Sequence, residues 1–193
     1  MERAELIEAV RKVLTEHRFR HTLGVAETAK RLAARYGADV EKAEIAGILH
    51  DYAKFWPASK MREVILQEPD LPDDLLDYDQ ELWHAPVGSV AIRRELGIAD
   101  PEIVDAVRYH TSGRVAMSPL EKVVCLADYI EPNRNFPGVD EIRALAEEDL
   151  DRALATAFGG TIQFLIRHRK RVYPLTLLAY NDLLHHVEAK EAR

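Results

Sequence analysis

The chain has 193 residues, 47% of them hydrophobic, with 26 Lys and Arg against 33 Asp and Glu for a formal charge of −7, and eight histidines beside one cysteine. That length suits one domain with a sizeable core. A lone Cys125 excludes an internal disulfide framework and any all-cysteine metal site, and the acidity opposes wholesale coating of nucleic acid. Charged residues from Glu2 to Lys12 interrupt any leader-like apolar run, and the longest uncharged apolar stretch, Ala153 to Ile166, is 14 residues against the ~20 of a membrane span. These features predict a cytoplasmic protein with neither membrane nor nucleic acid as partner.

Taken in chain order, Leu6, Val10, Val13 and Leu14 recur at helical spacing, and so do Val25, Ala29, Leu32 and Tyr36 before Gly37, a helix-stopping residue. Asp39 is placed to cap a helix running from Val40 to about Asp51, apolar on nearly every side and so expected at the centre. Pro69, Pro72 and a run of aspartates from Asp70 to Asp79 mark a looser connection. Pro86 and Pro101 suit first-turn positions, the latter behind Asp100, and Ser118-Pro119-Leu120-Glu121 is a complete capping box. Beyond Gly138 the helical pattern continues through Leu150, Leu154, Ala157, Phe158, Leu165 and Ile166, and Pro174 opens a last helix. No run reads as a strand. The expected fold is all-α, a single bundle of about eight to ten helices.

The polar residues of interest point inward. His21 shares the face of Val25 and Leu32, Asp128 that of Val124 and Leu120, and His110 that of Ile103 and Val107; His50-Asp51 closes the most apolar helix, and His84 stands at the entry to another. Taken singly, a buried histidine is a hydrogen-bonded core residue and Asp128 a cap or ion pair. Together they favour one metal centre, because buried carboxylates are costly without a cation and one ion accounts for several inward polar groups. His21, His50, Asp51 and Asp128 are the candidate ligands, a donor set suited to iron, manganese, cobalt or zinc.

The order His21, His50-Asp51, Asp128 resembles the H…HD…D signature of HD-domain metal-dependent phosphohydrolases. Longer segments narrow the resemblance: Arg20 to Ala29, Ala46 to Lys54, Leu82 to Gly88, His110 to Gly113, and Leu126 to Pro132 with Phe136 to Val139 are similar to the YqeK-type symmetrical dinucleoside tetraphosphatases. Two positions depart from that pattern, Ala85 and Asn133, where glycine is expected. The resemblance implies a single HD-type helical domain over 1–193, with a motif core of about 20–135 and C-terminal helices of about 139–189. It implies hydrolysis of diadenosine tetraphosphate to two ADP, with iron as the metal and one or two ions left open.

On that reading His50, Asp51, His84 and His110 are the catalytic candidates, with the last two histidines contacting phosphate or completing a second metal position. The nucleotide-contacting candidates are His21, Gly24, Lys54, His84, His110, Asp128, Tyr129, Arg134, Tyr173 and Pro174. Lys54 and Arg134 are suited to phosphate, Tyr173 to base or ribose, and Gly24 to close approach of backbone or ligand. The basic run Arg167 to Arg171 reads as a solvated helix end, Trp83 as a pocket wall or anchor, and Cys125 as a small core residue. The competing readings are an HD phosphohydrolase for another nucleotide (a deoxynucleoside triphosphate, a cyclic dinucleotide or an alarmone), an oxidative enzyme with paired iron, and a nucleotide sensor without turnover. The oligomeric state stays open, a homodimer included.

Overall fold

Alternation between apolar stripes and capped starts builds the chain. The computed structural model describes residues 1–192, and among them are ten α-helices and no strand. The helices are α1 (Arg3–Val13), α2 (Glu16–Tyr36), α3 (Val40–Leu49), α4 (Ala58–Gln67), α5 (His84–Leu96), α6 (Pro101–Tyr109), α7 (Pro119–Ile130), α8 (Val139–Leu145), α9 (Leu150–Arg167) and α10 (Pro174–Glu191), with short 3₁₀ turns at Asp73–Asp77 and Gln80–Leu82.

The punctuation expected from the sequence is present. Gly37 ends α2 at φ 73°, a left-handed conformation that glycine adopts without strain. Asp39 accepts the Lys42 amide at 2.9 Å, Asp100 accepts that of Glu102 at 2.9 Å, and Ser118 and Glu121 form the reciprocal capping box. Pro86 falls at the third residue of α5, among the amides that lack an intrahelical acceptor, so its missing N–H costs no ladder bond.

One continuous apolar core runs from Leu6 of α1 to Leu183 of α10, with α7 at its middle against α2, α3, α6, α8 and α9. A smaller cluster under α4 and the 72–82 connection gathers Ile65, Leu75, Val87 and Tyr173. No helix among the described residues is long and apolar enough to cross a membrane.

One boundary is corrected. The central helix ends at Leu49, so His50 to Phe55 form turns rather than a continued helix. Leu154 and Phe158 are fully buried, but Ile166 is 62% exposed, because the last turn of α9 runs past the core that its earlier turns cover.

The α2–α3 crossing brings backbones together where Gly47 meets Ala26: a Cβ at Gly47 would lie 2.7 Å from Ala26 Cα. Alanine at 47 gains about 1 kcal/mol in helix propensity. The contacted atom is main chain, however, so the helices must separate, and overpacking of this kind costs about 1–3 kcal/mol. Gly47→Ala is therefore expected to lower stability in urea denaturation; equal or higher stability would show that the crossing is loose.

A second tie joins α7, α9 and α10, where Asp151 accepts hydrogen bonds from Lys122 Nζ at 2.7 Å and Lys190 Nζ at 2.9 Å. Burial alone would raise the Asp151 carboxyl, but the two lysines outweigh it and hold it below its usual value. A depressed carboxylate stabilises the fold above its unfolded pKa of about 3.9, and that contribution disappears as pH falls through the lower folded value. Asp151→Asn should cost about 1.5–3 kcal/mol at pH 7. The difference from the parent should shrink on acidification toward pH ~3, and a gap unchanged by pH would contradict the ionic account.

Candidate metal centre

Five buried or half-buried elements converge on Asp51. His21 comes from the interior of α2, His50 caps the end of α3 with Asp51 directly behind it, His84 opens α5, His110 caps the end of α6, and Asp128 faces inward from α7. Asp51 and His50 are wholly buried, and His21, His84 and His110 are nearly so.

Asp51 presents its two oxygens to different pairs of histidines. Oδ2 lies 3.0 Å from His50 Nε2 and 3.8 Å from His21 Nε2, while Oδ1 lies 3.1 Å from His84 Nε2 and 4.0 Å from His110 Nε2. Asp128 Oδ1 closes the first side, 3.0 Å from His21 Nε2 and 3.9 Å from His50 Nε2. Three overlapping sets follow, each with donor atoms close enough to share one ion: His21, His50 and Asp51; His50, His110 and Asp128; Asp51, His84 and His110.

The outer nitrogens decide what the inner ones can do. His50 Nδ1 meets Gly47 O at 2.7 Å, His84 Nδ1 meets Glu81 O at 2.6 Å, and His110 Nδ1 meets Val107 O at 2.8 Å. Each acceptor is the carbonyl three residues earlier, left free by a helix end or a 3₁₀ turn. His21 lies mid-helix, where such carbonyls serve the helix ladder, and its Nδ1 instead meets Glu131 Oε1 at 3.0 Å. A carbonyl or carboxylate accepts only, so all four Nδ1 atoms carry a proton, and in the neutral, metal-ready rings all four Nε2 atoms turn a lone pair inward.

The centre is thus made of acceptors facing acceptors. His84 Nε2 and His110 Nε2 stand 3.1 Å apart, and His21 Nε2, His50 Nε2 and Asp51 Oδ1 are buried without a hydrogen-bond partner. Buried unpartnered acceptors are costly, and a cation among them removes that cost. The donor set, four imidazoles and two carboxylates, therefore fits a divalent transition metal.

Without a cation the cluster borrows protons instead: burial would lower His50, but Asp51 outweighs it and raises it above an ordinary histidine. Burial would raise the Asp51 carboxyl, but His50 and His84 outweigh it and hold it far below the usual carboxylate range. Asp128 is likewise held low, with His21, Arg134 and His50 overcoming burial. Burial, reinforced by His50 and His84, pushes His110 well below an ordinary histidine and keeps it neutral.

Residues 18–133, more than half of the chain, match the family model described as HD domain. The chain belongs to the HD-domain family. It is 54% identical, over 95% of its length and 98% of the relative's, to the symmetrical bis(5'-nucleosyl)-tetraphosphatase of Bacillus subtilis. It is 42% identical over 87% of both chains to the protein of that name from Staphylococcus aureus. A crystal structure described as a predicted HD superfamily hydrolase involved in NAD metabolism, from Clostridium acetobutylicum, superposes with TM-score 0.91 at 40% identity, covering 96% of this chain and 98% of the other. An HD domain implies a divalent metal, and the acceptor cluster has the composition to hold one.

The HD chain brings other expected residues to different places. Arg134 pairs with Asp128 Oδ1 and donates through Nε to Asp128 O at 2.6 Å. Lys54 sits in the turn after α3, held by Glu81 Oε2 at 2.7 Å, beside the carbonyl that anchors His84. Tyr129 does not join the cluster: its hydroxyl bonds Thr161 Oγ1 at 2.8 Å and its ring packs edge-on to Phe158, since adjacent helix residues diverge by about 100°.

Tyr173 is buried edge-on to Tyr78 and lines a cavity of about 170 Å³ with Leu82, Arg108, Tyr109, Thr111 and Ser112, residues that adjoin His84 and His110 in sequence. Pro174 is exposed as the first residue of α10, and Gly24 faces Glu131 rather than an open site. Trp83 anchors its loop by donating to Leu75 O at 2.9 Å. In the basic run, Lys170 pairs with Asp79 at 2.6 Å and Arg171 donates to Asp77 O at 2.8 Å, so these two cations are tied to the acidic connection. Cys125 is buried, donating to His110 O, with burial pushing its thiol far up.

Sequence reasoning missed two participants. Arg18, with a side chain only 16% exposed, pairs with Asp51 Oδ2; the signal was its position one turn before His21 on the same face. Glu131, 1% exposed, reads in sequence as the acidic end of Leu126 to Pro132 and nothing more.

Filling this centre should stabilise the fold, because an ion bound only by the native state adds about 2.7 kcal/mol when free metal is 100-fold above its Kd. Thermal melts of metal-stripped protein with iron, manganese, cobalt or zinc should shift upward and return with a chelator. A melting temperature insensitive to all four would count against the centre.

Proposed function

We infer that the protein hydrolyses symmetrical dinucleoside tetraphosphates, cutting diadenosine tetraphosphate into two ADP. The observation that carries the metal-dependent part is the buried all-acceptor cluster around Asp51. The symmetrical cut is supported by relatives of that name at 54% and 42% identity over nearly their full lengths.

We assign His21, His50, Asp51 and Asp128 to one metal position, and Asp51, His84 and His110 to a second that shares the aspartate. The donors suit iron, and equally manganese, cobalt or zinc. Ions bound there polarise phosphoryl oxygens and make hydroxide available from water at neutral pH.

The protein's own groups supply the remainder. His84 and His110 can offer Nε2 as nitrogen donors because their outer nitrogens are committed to carbonyls. Arg18 and Arg134, paired with Asp51 and Asp128, and Lys54, paired with Glu81, are the cations we assign to the phosphate oxygens. Together they make an acidic protein locally attractive to a polyanion. The cavity bordered by Tyr109, Thr111 and Tyr173 offers aromatic and hydroxyl surface for a nucleoside. One water attacks a central phosphorus, the bridging oxygen leaves with the other half, and both halves are ADP.

Metal-loaded protein should convert diadenosine tetraphosphate to ADP alone by ion-exchange chromatography; equimolar ATP and AMP would reject the symmetrical cut. Asp51→Asn should lower kcat/KM by at least about 1,000-fold, equivalent to ~4 kcal/mol, together with loss of bound metal. Full activity in a variant that no longer binds metal would sink the assignment.

A further inference from the structure

Three of the four inward histidines are fixed by a backbone carbonyl, and His21 alone by a charged side chain. That side chain, Glu131, comes from the residue following α7 and is buried beside α2. Its two oxygens are divided: Oε1 takes the His21 proton at 3.0 Å, and Oε2 accepts the Asn133 amide at 2.8 Å and Asn133 Nδ2 at 3.0 Å. Arg143 holds the loop from behind, donating to Glu131 O and to Arg134 O, both at 2.9 Å.

The carboxylate reaches this position only because residue 24 has no side chain. A Cβ on Gly24 would lie 2.5 Å from Glu131 Oε2. Gly24 is in mid-helix, where glycine costs about 1 kcal/mol relative to alanine. The space above it is filled by the carboxylate and by Asn133 Nδ2, 3.6 Å from where that Cβ would be. A helix-weakening residue one turn after His21 thus has a definite steric purpose.

We propose that Glu131 is the positioning residue that makes His21 the strongest nitrogen donor of the metal centre, and that Gly24 is glycine in order to admit it. A carboxylate acceptor on Nδ1 puts more electron density on Nε2 than a carbonyl does and fixes the ring's direction. Asn133, one of the two positions where the sequence departs from the expected glycine, supplies the side-chain donor that holds the far oxygen. Glutamine at 131 cannot reproduce the arrangement: with its oxygen toward His21, its NH₂ group faces the two N–H donors of Asn133. This inference rests on the metal-centre reading above and is independent of which nucleotide is cut.

The test is metal affinity, measured by chelator competition on purified full-length protein with iron or manganese, alongside circular dichroism and thermal melts of the metal-free forms. Glu131→Gln is expected to weaken binding about 10–100-fold while the metal-free fold is retained. Gly24→Ala, which displaces the carboxylate, should show a loss of the same order, and Gly24→Ala/Glu131→Gln should be little worse than Glu131→Gln alone. Glu131→Asp, which keeps the charge, should bind metal better than Glu131→Gln.

Parent-like affinity in Glu131→Gln would overturn the proposal, and additive losses in the double variant would overturn the role given to Gly24. A purely structural role would lower the melting temperature of the metal-free protein without moving metal affinity, which also overturns it. If the parent itself binds none of the tested ions, the metal-centre reading fails first and this inference with it.

Discussion

The structure turns on a shortage of protons at its centre. Four imidazoles and two carboxylates meet around Asp51, and every histidine has committed its one proton outward, to Gly47, Glu81 and Val107 carbonyls or to Glu131. With the rings neutral, what remains inside accepts and cannot donate. Such a group is tolerable only with positive charge in its midst, and the fold supplies part of it through Arg18 on Asp51 and Arg134 on Asp128. The helices can be understood as the device that holds these acceptors against their mutual repulsion. The close α2–α3 crossing at Gly47, the capped start of α7 and the continuous core hold His21, His50 and Asp128 in place.

That arrangement also explains why the inward histidines sit where they do along their helices. A histidine at a helix end finds a free carbonyl three residues back and needs nothing else to orient it, which holds for His50 and His110 and, at a 3₁₀ turn, for His84. The mid-helix histidine needs a partner from elsewhere, and this requirement recruits Glu131 and dictates Gly24. One rule, that the outer nitrogen must have an acceptor, therefore accounts for the placement of five residues distant in sequence.

Much of this was legible in the sequence. The helices, their caps at Asp39, Asp100 and Ser118, and the inward faces carrying His21, His110 and Asp128 follow from periodicity and capping chemistry, because both are local. Glu131 and Arg18 were not legible, since an acidic residue beside a proline and an arginine before a helical histidine look like solvated surface until tertiary packing buries them. Tyr129 adjoins Asp128 in sequence, but helical geometry sends its hydroxyl to Thr161 on α9. Ile166 keeps the apolar period after the core beneath it has ended, so pattern alone extends the buried face one turn too far.

The 72–82 connection gives the two sides of the centre different mechanical footing. His21, His50 and Asp128 rest on helices packed in the main core, whereas His84 takes its orientation from the carbonyl of Glu81, in a short turn secured by Lys54 and, through Asp79, by Lys170. A turn held by exposed ion pairs opens more readily than a core helix, and salt weakens it further. Opening it would free one histidine and leave the rest of the cluster assembled. One side of the cluster therefore stands on salt-sensitive footing, while the other is held by the main core.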